Sequence, residues 1–507
     1  MYNKSFRLFY LNCVIAVLPL MAHAELSTRE AWENTKRILE TGGYQVFGEE
    51  VSLGSDLSIK DAKIHFEVDE QTDIIFDVES LSLNKKPDGF IYLNLPQEIN
   101  VQYINEDDFG YRTQANILIR ARELELKVSG QPKKILYEMT ASSAGFALVE
   151  LLDNGVPSTD FTATMELVLA DIKSVIKSTS GEMNEIKSML SASGASIKGG
   201  VNLLSIPLEL SFQYVMDQLK SSSVSNEPEV SMDEDFELAL AKGFSSTSNL
   251  GFDKSELFLK FITPGGRPIN LSYKTGNSSL TNSISAAGIF IQSDNDRSLL
   301  NLKIPAKGLD FELDFQKFEV ALNIPLLVKT GEQEFGMNIK LSGLHFSDTL
   351  WNLFDAENFM PNDPATLELD IEGSTVLVEG LTSEAIIGNQ NLNPLEIGQI
   401  LSFKLNDFLL DALGVTVEAN GDFEFDNEDF QTFNGIPRPM GKGSLKIQGS
   451  NAFMERLEVM QLVPSETIMG ARMMLALLMR AVDDDTLISE FEIDKKGKVY
   501  ANGQRLR

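Results

Sequence analysis

The sequence has almost no cysteine and very little histidine: 1 Cys and 3 His occur among 507 residues. Cys13 lies in the first segment of the chain, which we expect to be removed, so disulfides, thiolate catalysis and cysteine metal sites are excluded from what remains. Outside that segment only His65 and His345 are left. Both lie in alternating stretches whose apolar residues would take the inner face of a strand, so we expect both histidines to point to solvent. We therefore predict no catalytic residue, no metal site, no cofactor and no enzymatic activity.

Positive charge is also scarce, because 43 Lys and Arg face 74 Asp and Glu, for a formal net charge of -31. Like charges repel at the encounter distance, so nucleic acid is not an expected partner. The acidic segments 426–435 and 482–486 lack the D-x-[DN]-x-[DN]-G register of a calcium loop. We interpret both as solvated turns, with calcium binding as the open alternative.

The chain begins with the pattern of a secretory signal. Lys4 and Arg7 form a basic start, residues 8–21 are mostly apolar, and Ala22-His23-Ala24 is a small-x-small cleavage site. The apolar part is shorter than the ~20 residues that span a bilayer, so a permanent anchor is the less favoured alternative. The sequence therefore predicts that residues 1–24 are removed and that the remainder is periplasmic, with no transmembrane segment.

An alternation of apolar with charged or small residues dominates the rest of the chain. It is clearest in residues 124–128, 308–325, 366–373 and 414–427, and it is typical of strands with one buried and one wet face. Ser27 and Glu30 form a capping box that predicts an N-terminal helix, with Gly42 and Gly43 as its stop. The predicted fold class is mainly β (α+β), with long curved antiparallel sheets in two halves, one N-terminal helix, and a helical pair before the C-terminal hairpin.

Composition suggests where the two halves meet. Residues 221–235 are rich in Ser, Glu and Pro and show no periodicity, which favours a linker or a long surface loop. The predicted halves are therefore residues 25–220 and 236–507, the second with helices near 450–482. Whether they form one domain or two is left open by the sequence.

Three segments near the C-terminus carry a resemblance: "LHFSDTLWNLFDAENFMPNDPATLELDIEG" (344–373), "GDFEFDNEDFQTFNGIPRPMGKGSLKIQGSNAFMERL" (421–457) and "MGARMMLALLMRAVDDDTLISEFEIDKKGKVYANGQRLR" (469–507). They resemble an uncharacterised family of alphaproteobacterial periplasmic envelope proteins known only by a domain-of-unknown-function label. That family has an arginine where this chain has Asn362, so no role of that charge carries over. More distantly, the architecture is similar to AsmA-like envelope proteins, whose long curved sheets form hydrophobic grooves for lipids. The resemblance implies an envelope protein and supplies no catalytic residues.

Residues 464–486 contain four methionines and three leucines, and their spacing predicts a helix from Glu466 to Val482. Arg472 near its centre makes a membrane-spanning role unfavourable by about 2.5 to 3.5 kcal/mol. We expect one narrow stripe of this helix to be wet and the rest to be covered. Core packing is the favoured cover, and a lipid is the alternative.

These patterns lead to one candidate function. We expect a non-enzymatic periplasmic envelope protein that binds or shuttles a lipid, or another hydrophobic ligand, in a curved β-sheet groove. The alternative is a structural scaffold or assembly partner for an envelope protein, without a small ligand. Ligand identity and oligomeric state are not specified by the sequence. The predicted hydrophobic-ligand residues are Phe311, Leu313, Phe315, Met469, Met473 and Leu477.

The first prediction concerns processing. The exported protein should begin at Glu25, because Ala22 and Ala24 are the small residues that signal peptidase requires. The intact mass of the periplasmic form measures this directly. Recovery of a membrane-bound form that retains residues 1–24 would contradict it.

Overall fold

The computed structural model describes residues 26–206, 208–230, 235–381 and 397–507. The predicted signal segment 1–24, with Cys13 and the cleavage site, lies outside the described residues. The chain is mostly β, with 65% of residues in strands and 11% in helices, which confirms the predicted fold class.

Five α-helices occur among the described residues, and one 3-10 turn covers Pro305–Lys307. The helices are α1 Thr28–Thr41, α2 Phe236–Ala241, α3 Asp348–Trp351, α4 Ser450–Val459 and α5 Ser465–Leu478.

The strands are numbered in chain order. The first fifteen are β1 Tyr44–Leu53, β2 Asp56–Asp69, β3 Thr72–Lys85, β4 Ile91–Asn94, β5 Glu98–Glu106, β6 Arg112–Arg122, β7 Glu125–Gln131, β8 Lys134–Asp153, β9 Val156–Pro157, β10 Phe161–Thr179, β11 Asn184–Leu203, β12 Leu208–Glu227, β13 Ser245–Phe252, β14 Lys254–Ile262 and β15 Pro268–Thr275. The others are β16 Ser278–Ser285, β17 Gly288–Ile304, β18 Leu309–Ile324, β19 Gln333–Phe346, β20 Ala365–Leu377, β21 Gly398–Ala412, β22 Val415–Asp426, β23 Arg438–Gln448, β24 Arg480–Ala481, β25 Thr486–Ile493, β26 Val499–Ala501 and β27 Gln504–Arg505.

The chain divides into two compact units. Unit 1 is Met1–Asn277 with Lys303–Gly308, and unit 2 is Ser278–Leu302 with Leu309–Arg507. Residues 221–227, predicted as part of a linker or loop, instead form the end of β12 and pair with β13, for example Ser223 with Ser248. Composition misled here because a ladder of backbone hydrogen bonds does not require apolar side chains. Residues 231–234 lie outside the described part of the chain.

Unit 1 contains an antiparallel sheet built on four strands of 19 or 20 residues, β8, β10, β11 and β12. Strands β1, β2 and β3 pair in order, and β3 connects to β8 both through β4 and β7 and through β5 and β6. Strand β8 then pairs with β10, followed by β11, β12, β14 and β15. Each pairing is antiparallel, as the alternating pattern predicts.

Helix α1 provides the cover for the core of unit 1. Its capping box is formed as predicted, with Ser27 Oγ accepting from Glu30 N, and the helix ends at Thr41 with Gly42 as its C-cap. Ala31 and Trp32 are buried and belong to one apolar cluster with the strands. Other members of this cluster with 3% exposure or less are Leu26, Leu57, Ile59, Ala62, Val78, Leu83, Ile91, Val128, Ile135, Tyr137, Met139, Ile172, Ile176, Ala192 and Ala195.

Polar contacts also hold α1 on the sheet. Tyr137 Oη donates to Asn34 Oδ1 at 2.5 Å, and Arg37 Nη2 donates to Ser178 Oγ at 2.8 Å. Glu227 at the end of β12 is buried, and this burial raises its pKa, while the nearby Arg37 guanidinium partly counteracts the rise. Buried polar bonds of this kind are directional, so they fix the position of α1 as well as its attachment.

The strands of unit 2 pair antiparallel in the order β18, β19, β20, β21, β22, β23, β25, β26, β27. Helices α4 and α5 lie in the chain between β23 and β24, which confirms the predicted helical pair. The expectation that the second helix reaches Val482 is wrong, because α5 ends at Leu478 and Arg480–Ala481 form β24 against β25. Among the described residues, no helix combines the length and the apolar character needed to cross a bilayer.

The second prediction concerns the buried carboxyl group of Glu227. Because its pKa is raised in the folded state, its contribution to stability is fully present below the ordinary carboxyl pKa of 4.5 and is lost as pH rises through the folded value. Glu227→Gln, which stays neutral, should therefore match the wild type at low pH and become more stable than it towards neutral pH. Urea unfolding at a series of pH values measures the difference.

Glu229→Gln is the matched control, because Glu229 is two residues away and exposed. It should leave the free energy of unfolding nearly unchanged at every pH. Equal pH profiles for the two variants would show that burial of Glu227 has no energetic consequence.

Candidate functional site

The sheet of unit 2 has one face composed almost entirely of apolar side chains. Strand register aligns these side chains in rows that cross β18, β19, β20, β21, β22, β23 and β25. The first row is Phe318, Leu341, Leu367, Leu410, Val417, Ile447 and Leu487, the second is Val320, Ile339, Leu369, Phe408, Ala419 and Leu445, and the third is Leu322, Met337, Ile371, Leu405 and Phe491. We call these side chains the apolar face.

The opposite face of the same strands is charged. Cross-strand ion pairs follow it, with Nζ to Oε1 distances of 2.5 Å for Lys340 and Glu368 and 2.8 Å for Lys404 and Glu372. A groove of about 980 Å³ has a mixed lining, with Lys404, Asp422 and Lys442 beside Leu405 and Phe491 of the third row. The two faces of these strands therefore differ in charge, because the ion pairs lie opposite the apolar rows.

Within the described part of unit 2, no second layer buries the apolar face. Every side chain in the three rows is half-buried or exposed, and none is in the buried class. In unit 1, by contrast, Leu57 and Leu83 below α1 are 1% and 0% exposed. An apolar sheet face normally packs against another layer, so this one lacks the cover that its composition predicts.

Glycines on this side of the sheet leave room for phenylalanine rings to pack close to the backbone. A Cβ atom on Gly373 would lie 2.4 Å from Phe335 Cζ, and one on Gly421 would lie 2.7 Å from Phe423 Cε2. The two phenylalanine rings therefore occupy the space above glycines on neighbouring positions. Larger residues at these glycines would force the rings away from the sheet.

Three predicted ligand residues lie on β18. Phe311, Leu313 and Phe315 are all half-buried. The ring of Phe315 meets that of Phe318 edge-on, with centroids 6.3 Å apart, so the two rings are in contact. Leu313 pairs with Phe346 on β19.

The other three predicted ligand residues lie on α5 and are far more exposed than expected. Met469, Met473 and Leu477 are 65%, 68% and 58% exposed, and Ile468 is the buried residue of this helix. The expectation that most of this helix is covered is therefore wrong: periodicity shows which side chains share a side of a helix but not whether a partner exists. Helix α5 packs mainly against α4, and β18 against β19 and α3, so a groove between the two predicted sets stays a prediction.

Each histidine has a carboxylate neighbour. His65 Nε2 lies 2.6 Å from Asp73 Oδ1, and His345 Nδ1 lies 3.5 Å from Asp314 Oδ1. Both rings are half-buried, so the expectation of freely exposed histidines holds only in part.

The acidic segments use their carboxylates within the protein. Arg438 pairs with both Asp426 and Asp429, and the Thr432 hydroxyl, which donates to Asp429, lowers the pKa of that aspartate. Asp485 Oδ1 accepts from Asn451 N at the start of α4 at 2.8 Å. No group of three or more histidine or carboxylate side chains in the part of the chain that the structure describes is arranged to hold a metal ion.

Unit 1 has a smaller apolar surface that sequence reasoning missed. Leu167 pairs with Phe146 on one side and with Ile197 on the other, and Ile197 pairs with Tyr214. These side chains are half-buried, whereas Ile172, further along β10 below α1, is 1% exposed. Many Gly, Ser and Ala residues in 176–200 weaken the alternation there, which is why the sequence did not show this surface.

No protein-family model matches the chain, and no curated protein matches it. The geometry of the apolar face therefore carries the functional argument, and the resemblance to an envelope family stays a prediction.

The third prediction compares two leucines of β20. Leu377 is 6% exposed, so Leu377→Ala should lower the free energy of unfolding of unit 2 by about 2 to 5 kcal/mol through cavity formation. Leu369 on the apolar face is half-buried, so Leu369→Ala should cost about 1 kcal/mol or less in lipid-free protein. Denaturant unfolding measures both values. A cost at Leu369 as large as that at Leu377 would show that the face is covered in solution.

Proposed function

We propose that this protein is a non-enzymatic periplasmic carrier that holds the acyl chains of a lipid on the apolar face of unit 2. The observation that supports this most directly is that rows of apolar side chains cross up to seven neighbouring strands, and none of these side chains is fully buried. A contiguous apolar surface that is still partly exposed is typical of a binding site. The secretory pattern of residues 1–24 supports the periplasmic location.

The dimensions of the face suit hydrocarbon chains. Neighbouring strands lie about 4.8 Å apart, so seven strands span roughly 29 Å. This is close to the ~30 Å hydrocarbon thickness of a bilayer, which two acyl chains fill end to end. Each buried CH₂ group contributes about 0.8 kcal/mol, so eight carbons contribute about 6 kcal/mol. That value exceeds the lower end of the roughly 4 to 15 kcal/mol that association costs in lost translational and rotational freedom. Longer acyl chains contribute more than eight carbons do.

The side chains of the apolar face determine which ligands it can bind. Its three rows carry no charged side chain, so binding depends on hydrocarbon and not on a head group. The net charge of -31 disfavours anionic head groups through long-range repulsion. A lipid with a zwitterionic head group that remains in water fits both conditions.

The fourth prediction uses residues that lie side by side but face opposite ways. Ile339 pairs with Leu369 on the apolar face, and the next pair on the same strands, Lys340 and Glu368, lies on the charged face. The double variant Ile339→Ser with Leu369→Ser should lose most of the lipid that co-purifies with the wild type. Native mass spectrometry of protein purified without detergent measures the bound lipid.

The matched control is Lys340→Ser with Glu368→Ser, which removes an ion pair of the charged face from the same two strands and should retain lipid. A photo-crosslinking residue at 339 should form lipid adducts, and the same residue at 340 should not. Crosslinks from position 339 to protein alone would instead support a scaffold whose face is closed by a partner. Wild-type protein without bound lipid would contradict the carrier function.

A further inference from the structure

Helix α5 exposes a second apolar surface, separate from the sheet. Met469, Met473, Met474 and Leu477 are each between 58% and 68% exposed. Leu462, in the turn before α5, is 62% exposed. Large apolar side chains gathered at one place in the fold differ from the single exposed residues that are normal on protein surfaces.

The helix that carries this surface is firmly attached. Ile468 and Met479 are 4% and 7% exposed and anchor its two ends. Ser489 Oγ donates to the carbonyl oxygen of Leu478 at 2.6 Å, and Asn502 Nδ2 donates to the same oxygen at 3.1 Å. The exposed methionines are therefore presented by an ordered helix, and their exposure is not a result of fraying.

The composition of α5 favours a lipid surface over a protein partner. From Thr467 to Met479 the sole charged residue is Arg472, whose Nη2 lies 3.8 Å from Glu455 Oε1. The same stretch has no aromatic residue, although Trp and Tyr are enriched among the residues that carry the binding energy of protein interfaces. Apart from Arg472 it lacks the lysines and arginines with which interfacial helices bind anionic membranes. An almost uncharged surface on a strongly acidic chain is complementary to a zwitterionic bilayer.

The position of α5 connects this surface to the apolar face. Ser489 pairs with Leu445 of the second row, and it is buried where it bonds the end of α5. The helix therefore ends on the side of the sheet that carries the apolar face, at its β25 edge. Ile447 and Leu487, the last pair of the first row, lie on the two strands between which α4 and α5 are inserted.

We infer that α5 docks this protein on the surface of a zwitterionic lipid bilayer, with the side chains of Met469, Met473, Met474 and Leu477 in the interfacial layer. The helix lies on the membrane and does not cross it, since its 14 residues are too few. Transfer of a lipid from the bilayer past α5 onto the apolar face rests on the proposed carrier function. Docking itself rests on the helix alone.

The fifth prediction tests docking by vesicle flotation of the exported chain. Wild-type protein should float with phosphatidylcholine vesicles and less well when phosphatidylglycerol is added, because the chain is acidic. The triple variant Met469→Ser, Met473→Ser and Leu477→Ser should bind at least roughly tenfold more weakly, since three side chains lose their transfer from water. Its melting temperature should stay unchanged, because all three are exposed.

A matched control replaces three equally exposed apolar residues of unit 1, Val149, Val156 and Leu204, with serine. It should float like the wild type. Loss of flotation in this control, or none in the α5 variant, overturns docking. So does a concentration-dependent dimer without lipid that the α5 variant abolishes, because it would assign the helix to a second copy.

The two proposals fail in different ways. Protein that carries lipid at position 339 but never floats overturns docking and leaves the carrier function standing. Protein that floats but carries no lipid overturns the carrier function and leaves docking standing.

Discussion

The alternation of apolar and charged side chains along long strands is the constraint on which the structure depends. It gives a sheet one face that water solvates and one that needs a cover. In unit 1, α1 provides that cover, and residues such as Leu83 and Val128 are fully buried. In unit 2 the same alternation continues through β18 to β25, but the described residues supply no equivalent layer. The two units therefore share the same strand pattern and differ in whether another part of the described chain covers the apolar side of the sheet.

Unit 2 maintains its sheet without a large buried core because the strand ladders satisfy its backbone. Long antiparallel pairings join β19 to β20 and β22 to β23, so their N–H and C=O groups have partners. Exposed pairs such as Lys446 with Glu418 each add about 1 kcal/mol or less. A ligand that binds only the folded sheet would add stability in proportion to its occupancy, so cover and stability are coupled in this unit.

Local patterns predicted local structure well. The capping box at Ser27, the strands around 308–325 and 414–427, and the helical pair all follow from spacing of a few residues. Long-range outcomes were not predictable in this way. The bond between Tyr137 and Asn34 joins residues 103 positions apart, and no periodicity reports it. The same limit explains α5: the sequence identified its apolar side chains, but whether another element covers them depends on the whole fold.

The two ways of covering an apolar sheet differ in what they require. Helix α1 brings peptide and side-chain polar groups with it, so its docking needs Asn34, Arg37 and their partners on the sheet. A hydrocarbon chain brings no polar group and needs no register, so it can lie across strands wherever apolar rows are continuous. Apart from Ser489, which bonds the end of α5, the rows and their continuation onto β25 contain no buried polar partner of the kind found below α1. That chemistry favours an acyl chain over a polypeptide segment as the layer that completes unit 2.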